Sequence, residues 1–259
     1  AEDPALDRFL WSVIRRAETA APEAYRRAVE SLPINGRPAQ LSTLISYLGR
    51  KHIGGGSLSE LERQAILNST RRTEEAVVTS LASVAGHRFI DQPNWAMKVL
   101  LQLRPASARD ADEILRALGH LAERHAANLK AEDISQCLAN VGEHCLPEST
   151  SDLGDLEKVA KRFPKQVYEH VRRLHERAEA DPDDRHPRRF AETLSLGPIN
   201  DPEFVDREID ALWRSATSAE PASFSQQYRL ALIRSLLLSE GTAGPDRHRS
   251  ESVRRRNRN

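Results

Sequence analysis

Asn128-Leu129-Lys130-Ala131-Glu132-Asp133-Ile134-Ser135-Gln136-Cys137-Leu138-Ala139-Asn140-Val141-Gly142 is the stretch that decides the fold. It opens on polar residues, continues as an apolar stripe (Ile134, Leu138, Val141) at helical spacing, and stops at a glycine. Asp110 to Ala127 in front of it reads as a second amphipathic helix, with Ser107 and Asp110 as caps and Ile114, Leu118, Leu121 and His125 on one side. Two helices joined by a short polar link make a hairpin.

The same grammar runs along the chain. Leu6, Phe9, Leu10, Val13, Ile14 and Ala17 form a first stripe behind an Asp3-Pro4 cap. Pro22 opens a second helix, with Pro33 as its expected end, and Pro38 a third that Gly49 is expected to close. Ser57 and Glu60 have capping-box spacing. Further helices are expected over Thr73–Ala85, from Pro93, over Leu153–Phe163, after Pro164, from Asp201-Pro202 and after Pro221. No alternating apolar pattern bounded by turns occurs, so sheet content is expected near zero.

The apolar residues in the middle of the matching helices are Ile45, Val99, Leu138, Leu194 and Ile233, separated by 54, 39, 56 and 39 residues. Gaps near 40 suit one helical hairpin, and the longer ones leave room for an extra helix. The expected fold class is therefore all-α: a solenoid-like stack of antiparallel helical hairpins, or an irregular helical bundle, with about ten to thirteen helices. Residues 1–244 form the helical domain and residues 245–259 a disordered basic tail.

Asn128-Leu129-x-x-Glu132-Asp133-Ile134-Ser135-x-x-Leu138-x-x-Val141 resembles the repeat unit of the SKWP-type effectors secreted by plant-pathogenic bacteria. It is similar also to the octotricopeptide repeats of organellar RNA-binding proteins. The likeness covers one unit; those around Trp95 and Leu230 match loosely, and Val141-Gly142-Glu143 stands where the effectors have Ser-Lys-Trp-Pro. The resemblance implies an α-solenoid that binds a macromolecule, in a virulence protein delivered into a host cell, and brings no catalytic residues.

Composition narrows the function classes. An apolar fraction of 39% with 29% charged residues suits amphipathic helices with solvated outer faces. Two cysteines, Cys137 and Cys145, cannot build a disulfide framework, and a cytoplasmic or other reducing compartment is expected. Leu230–Leu238, the most apolar run, is too short to span a membrane and contains Arg234, so no insertion is expected. Ala1-Glu2-Asp3-Pro4 leads directly into a helix, is not built as a signal peptide and lacks an initiator methionine, which suits a domain of a longer chain. The whole chain is neutral, but Pro245–Asn259 holds six arginines against Asp246 and Glu251, a net +4 that leaves the body at −4. An acidic body with a basic tail is not the profile of a dedicated nucleic-acid-binding fold.

No motif compels a chemistry. Cys137, His144 and Cys145 are metal-ligand types without the C-x-x-C spacing of structural zinc, and Cys137 continues an apolar face. His120 and His125, like His170 and His175, are five apart, where ligands on one helix face need three or four. Asp181, Asp183 and Glu192 fit three positions of a calcium loop, but Arg185 and His186 occupy places that need an acid and a glycine. Gly54-Gly55-Gly56-Ser57 lacks the lysine and the strand of a phosphate loop and reads as a connector. Neither a cofactor, a metal nor a catalytic set is expected.

Basic doublets (Arg15-Arg16, Arg26-Arg27, Arg50-Lys51, Arg71-Arg72, Arg172-Arg173, Arg188-Arg189) sit beside glutamates and read first as solvated faces, second as a groove for phosphates or an acidic partner. In the tail, Arg247, Arg249, Arg254, Arg255, Arg256 and Arg258 are the candidate contacts to nucleic acid or an acidic partner. An RNA-reading repeat needs the same polar reader in each unit. The residues after the five repeat positions are Ser46, Leu100, Ala139, Ser195 and Arg234, with no common reader. The expected function is thus a noncatalytic scaffold for a partner protein, with RNA binding as the alternative and an enzyme with a helical active site as the third class.

Overall fold

The computed structural model describes residues 4–142, 150–180, 196–219 and 224–241, and among them the chain is all-helical, with twelve α-helices and no strand. They pair as α1 (Pro4–Ala20) with α2 (Pro22–Asn35), α3 (Pro38–Ile53) with α4 (Glu60–Ser69), and α5 (Glu75–Ser83) with α6 (Pro93–Gln102). Then come α7 (Ala108–His125) with α8 (Ala131–Val141) and α9 (Thr150–Ala160) with α10 (Pro164–Ala180), followed by α11 (Pro202–Ser218) and α12 (Phe224–Gly241). First helices pack in series, α1 on α3, α3 on α5, α5 on α7 and α7 on α9, and second helices do the same from α2 to α10. Each hairpin touches chiefly its neighbours in the chain, so the fold is a two-layer stack of helix pairs.

The pairing follows from the stripe of each helix. Counted from the first helical residue, the second helices place Ala28, Ile66, Val99, Cys137, His170 and Glu208 at the seventh position, and Val29, Leu67, Leu100, Leu138, Val171 and Ile209 at the eighth. Most of these are buried, and Val29, Ile66, Val99, Leu100, Cys137, Leu138, Val171 and Ile209 belong to one core cluster. Successive second helices begin 38, 33, 38, 33 and 38 residues apart. Hydrogen bonds between units repeat this offset: Ser42 with Ser80 at 2.6 Å, Asn140 Nδ2 to the Leu101 carbonyl at 3.0 Å, and Lys165 Nζ to Asp201 at 3.0 Å.

That unit corrects the spacing read from the sequence. Ile45 lies on the first helix of its pair, whereas Val99 and Leu138 lie on second helices, so the 54-residue gap joins positions that are not equivalent. The Val99–Leu138 gap of 39 joins two second helices and comes within one residue of their 38-residue offset. Leu194 lies outside the described residues.

Local expectations hold where a cap decides and fail where a tertiary contact does. Ser107 Oγ accepts from the Asp110 N–H at 3.2 Å and Asp201 Oδ1 from the Phe204 N–H at 3.0 Å, both as expected of N-caps. The box after the glycines is Ser59–Glu62 rather than Ser57–Glu60. Both have the right spacing, and the one formed also lets Glu62 meet partners on α2 and α3. Pro33 does not end α2, which runs to Asn35, because in the last turn proline gives up a single hydrogen bond. Gly49 does not close α3 either. It is buried inside the helix, where a Cβ would lie 2.9 Å from Val84 Cγ2, so its smallness serves close packing.

The helix expected over Thr73–Ala85 is α5 followed by a π turn, Val84–Arg88. There Gly86 approaches α7 so closely that a Cβ would sit 2.6 Å from Ala117 Cα. The Leu129–Val141 stretch forms as read, with Ile134, Cys137, Leu138 and Val141 buried and a 3-10 turn, Ala126–Asn128, joining α7 to α8.

Candidate functional site

A polar constellation inside the stack lies where the ends of α1 and α3 meet the starts of α2 and α4. Glu62 is 2% exposed and is fixed by its own cap: the Ser59 N–H donates to Oε2 at 2.8 Å. Its Oε1 accepts from Tyr25 Oη on α2 at 2.6 Å and from Lys51 Nζ on α3 at 2.8 Å. Lys51 also donates to Glu18 Oε1 on α1 at 2.6 Å, and Tyr47 Oη donates to Glu18 Oε2. One ammonium and two phenols thus hold two carboxylates across four helices.

Burial works against the Lys51 ammonium, but its hydrogen bonds to Glu18 and Glu62 and their charges outweigh that, and its pKa stands above the ordinary lysine value. Burial likewise opposes the Glu62 carboxylate, and the bonds from Lys51, Tyr25 and Ser59 reverse the sign, so its pKa is lowered. Tyr25 and Tyr47 are pushed up, first by burial and then by the carboxylates they donate to. All four shifts run away from neutral pH: Lys51, Tyr25 and Tyr47 hold their protons more tightly and Glu62 gives its up more readily.

Glu18, Tyr47 and Lys51 form one wall of a cleft of about 820 Å3 between α1 and the end of α3, with Arg15 and Arg50 exposed at its rim. The glycine connector closes one side. Gly55 has φ +82°, a conformation that favours glycine. The N–H groups of Gly54, Gly55 and Gly56 bond to the carbonyls of Arg50, His52 and Lys51. They finish α3 and are not directed at a phosphate.

A second clamp of similar chemistry lies toward the other end of the described stack. Glu208 of α11 accepts from Tyr168 Oη of α10 at 3.1 Å and from Arg172, whose Nε donates to Glu176 at 2.9 Å. Burial and the Glu208 charge raise the Tyr168 pKa. Neither clamp was singled out in the sequence. The signal available was a tyrosine followed 37 or 40 residues later by a glutamate, and it becomes visible only once the repeat length is known.

The residues that were singled out do not converge. Cys137 is fully buried and burial pushes its thiol up to about 12, which leaves it an inert core group; His144 and Cys145 lie outside the described residues. His120 meets His87 of the π turn edge-on, with ring centroids 4.4 Å apart, rather than His125. Burial lowers the pKa of both rings. His170 is buried with Nε2 unpartnered among the described residues, and burial holds it down to about 4. The side chain of His175 and the Asp181–Glu192 segment lie outside the described residues.

Among those residues no group of three or more His, Cys, Asp or Glu is placed to hold a metal ion, and no helix is long and apolar enough to cross a membrane. Some members of the basic doublets are engaged within the chain. Arg26 pairs with Glu30, while Arg72 binds Glu74 and the carbonyls of Pro33 and Gly36. Arg188, Arg189 and the tail arginines 247, 249, 254, 255, 256 and 258 lie outside the described residues. Comparison with protein-family models, with curated proteins and with solved structures finds no match for this chain.

Proposed function

We propose that this chain is a noncatalytic helical scaffold that binds a partner protein. The observation that carries the reading is the absence of a repeated reader on the unit now defined. At the sixth position of successive second helices stand Arg27, Ala65, Lys98, Gln136, Glu169 and Arg207. Ala65 is buried and the other five are exposed or half-buried, and their charge and size change from unit to unit, which offers no base-by-base code. The clamp groups support a noncatalytic role. Lys51 and the two tyrosines stay protonated and Glu62 stays ionised across neutral pH, so none is poised to exchange a proton with a substrate. The resemblance of the Asn128–Val141 unit to bacterial effector repeats adds a setting to the proposal, a secreted virulence protein at work in a host cell.

A second reading, RNA binding, is favoured by the arginines of the tail. A salt titration of binding to mixed single-stranded RNA separates the two, run on the intact chain and on one truncated after Gly244. The scaffold reading expects the truncated body not to bind, whether or not the tail does. Binding by the body with a steep salt slope would overturn it.

A further inference from the structure

We propose that the outer face of α1, together with the cleft beside it, docks an acidic amphipathic helix of the partner protein; this rests on the scaffold reading and supplies the chemistry of the partner. Among the described residues α1 packs on α2 and α3. Away from them, Phe9 is 63% exposed and Val13 47% exposed. With Ala17 and Ala20 they line a shallow apolar groove of about 420 Å3. Residues 9, 13, 17 and 20 recur at helical spacing, so these side chains form one stripe along α1.

Charge decides what can cover this stripe. Arg16 lines the apolar groove itself, and Ser12 lines both the groove and the larger cleft, so the two are one surface. Among the described residues, Arg15, Arg16, Arg50 and Lys51 line it with one carboxylate, Glu18; Lys51 is already engaged by Glu18 and Glu62, so Arg15 and Arg16 carry the charge that the surface offers. Glu18 is already bonded to Lys51 and Tyr47, which leaves it little to offer an incoming cation. A helix with an apolar stripe flanked by glutamates or aspartates would bury Phe9 and Val13 as a further member of the first layer. Its acids would meet Arg15 and Arg16, where guanidinium–carboxylate pairs form in two-pronged geometry. A nucleic acid would leave the Phe9–Val13 stripe unused, and a small anion would fill the cleft alone.

The test uses the full chain and three fluorescent probes: a designed helix with leucines at heptad spacing and glutamates elsewhere, the same helix with lysines for glutamates, and a single-stranded RNA. Two variants change exposed positions outside the clamp, Val13→Asp and the double change Arg15→Glu/Arg16→Glu, with unchanged thermal melting as the check on folding. The Leu/Glu helix is expected to bind, to weaken by about tenfold or more in either variant, and to weaken with salt, while the lysine helix does not bind. Absence of Leu/Glu binding, equal binding by the variants, or equal binding of the lysine helix overturns the site. RNA bound in its place and lost with the arginines also overturns it. If the Leu/Glu helix fails while the truncated body stays inert toward RNA, this site falls and the scaffold reading stands; RNA binding by the body removes both.

Discussion

The two tyrosine–glutamate clamps solve the same problem with different geometry. Each ties consecutive second helices, Tyr25 to Glu62 and Tyr168 to Glu208, and each needs a cation because a buried carboxylate with only a phenol for company is costly. In the α10–α11 clamp that cation is Arg172, four residues from Tyr168 on the same helix, so the set closes on itself. In the other it is Lys51, which crosses from the first layer and recruits Glu18 of α1 and Tyr47 of α3 as well. The α10–α11 clamp is a stitch between two helices. The Glu62 clamp joins four and opens onto a cleft.

The largest expected effect comes from breaking the four-helix clamp. Glu62→Ala takes the buried carboxylate from Tyr25 and from Lys51, which keeps Glu18, and urea denaturation should show a loss of about 3 kcal/mol, the low end for removing one member of a buried pair. The pH dependence has a clear sign. Because the folded pKa of Glu62 is lowered, its contribution is complete above the unfolded value and is lost as pH falls through the folded one.

His170 moves stability in the same direction through a different charge. It is held near 4, so between about 6.5 and 4 the unfolded chain binds its proton more readily, and stability falls by about 3 kcal/mol as pH drops through that window. His170→Gln should flatten this part of the profile, and denaturation midpoints measured at stepped pH would show it. An equal slope in the variant would place the acid sensitivity elsewhere.

Glu208→Ala should cost less than Glu62→Ala, about 2 kcal/mol, because Arg172 and Glu208 are both more exposed than Lys51 and Glu62. Gly86→Ala should cost about 1–3 kcal/mol by driving the π turn off α7, which a melting curve would report. The smallest change is Arg15→Ala. Arg15 is exposed and outside the clamp, and thermal melting should shift by less than about 0.5 kcal/mol.

Most of the fold was legible because helix starts are local. Pro22, Pro38, Pro93, Pro164 and Pro202 all open helices, and each places its apolar residues where the period requires. What stayed hidden depends on contacts between units. Gly49 reads as a stop until Val84 is seen against it, and Pro33 as an end until the last turn tolerates it. The repeat length was misjudged because first and second helices carry the same kind of stripe, so nothing local tells Ile45 from Val99. The clamps were invisible for the same reason, since Glu62 looks like a capping residue and Tyr25 like a core aromatic. The apolar face of α1 was legible only in part. Phe9 and Val13 were read as one stripe with Ile14 and Ala17, and the structure divides it, with Ile14 packed on the core and Phe9 and Val13 outward.

The claim on which the rest depends is that the stack is held by neighbour-to-neighbour contacts. Amide hydrogen exchange of the Glu208→Ala variant tests it most directly. A chain of helix pairs predicts faster exchange in α10, α11 and α12 while α3, α4 and α5 keep their protection. Equal acceleration in every helix would mean that the molecule opens as one unit, and would contradict the account.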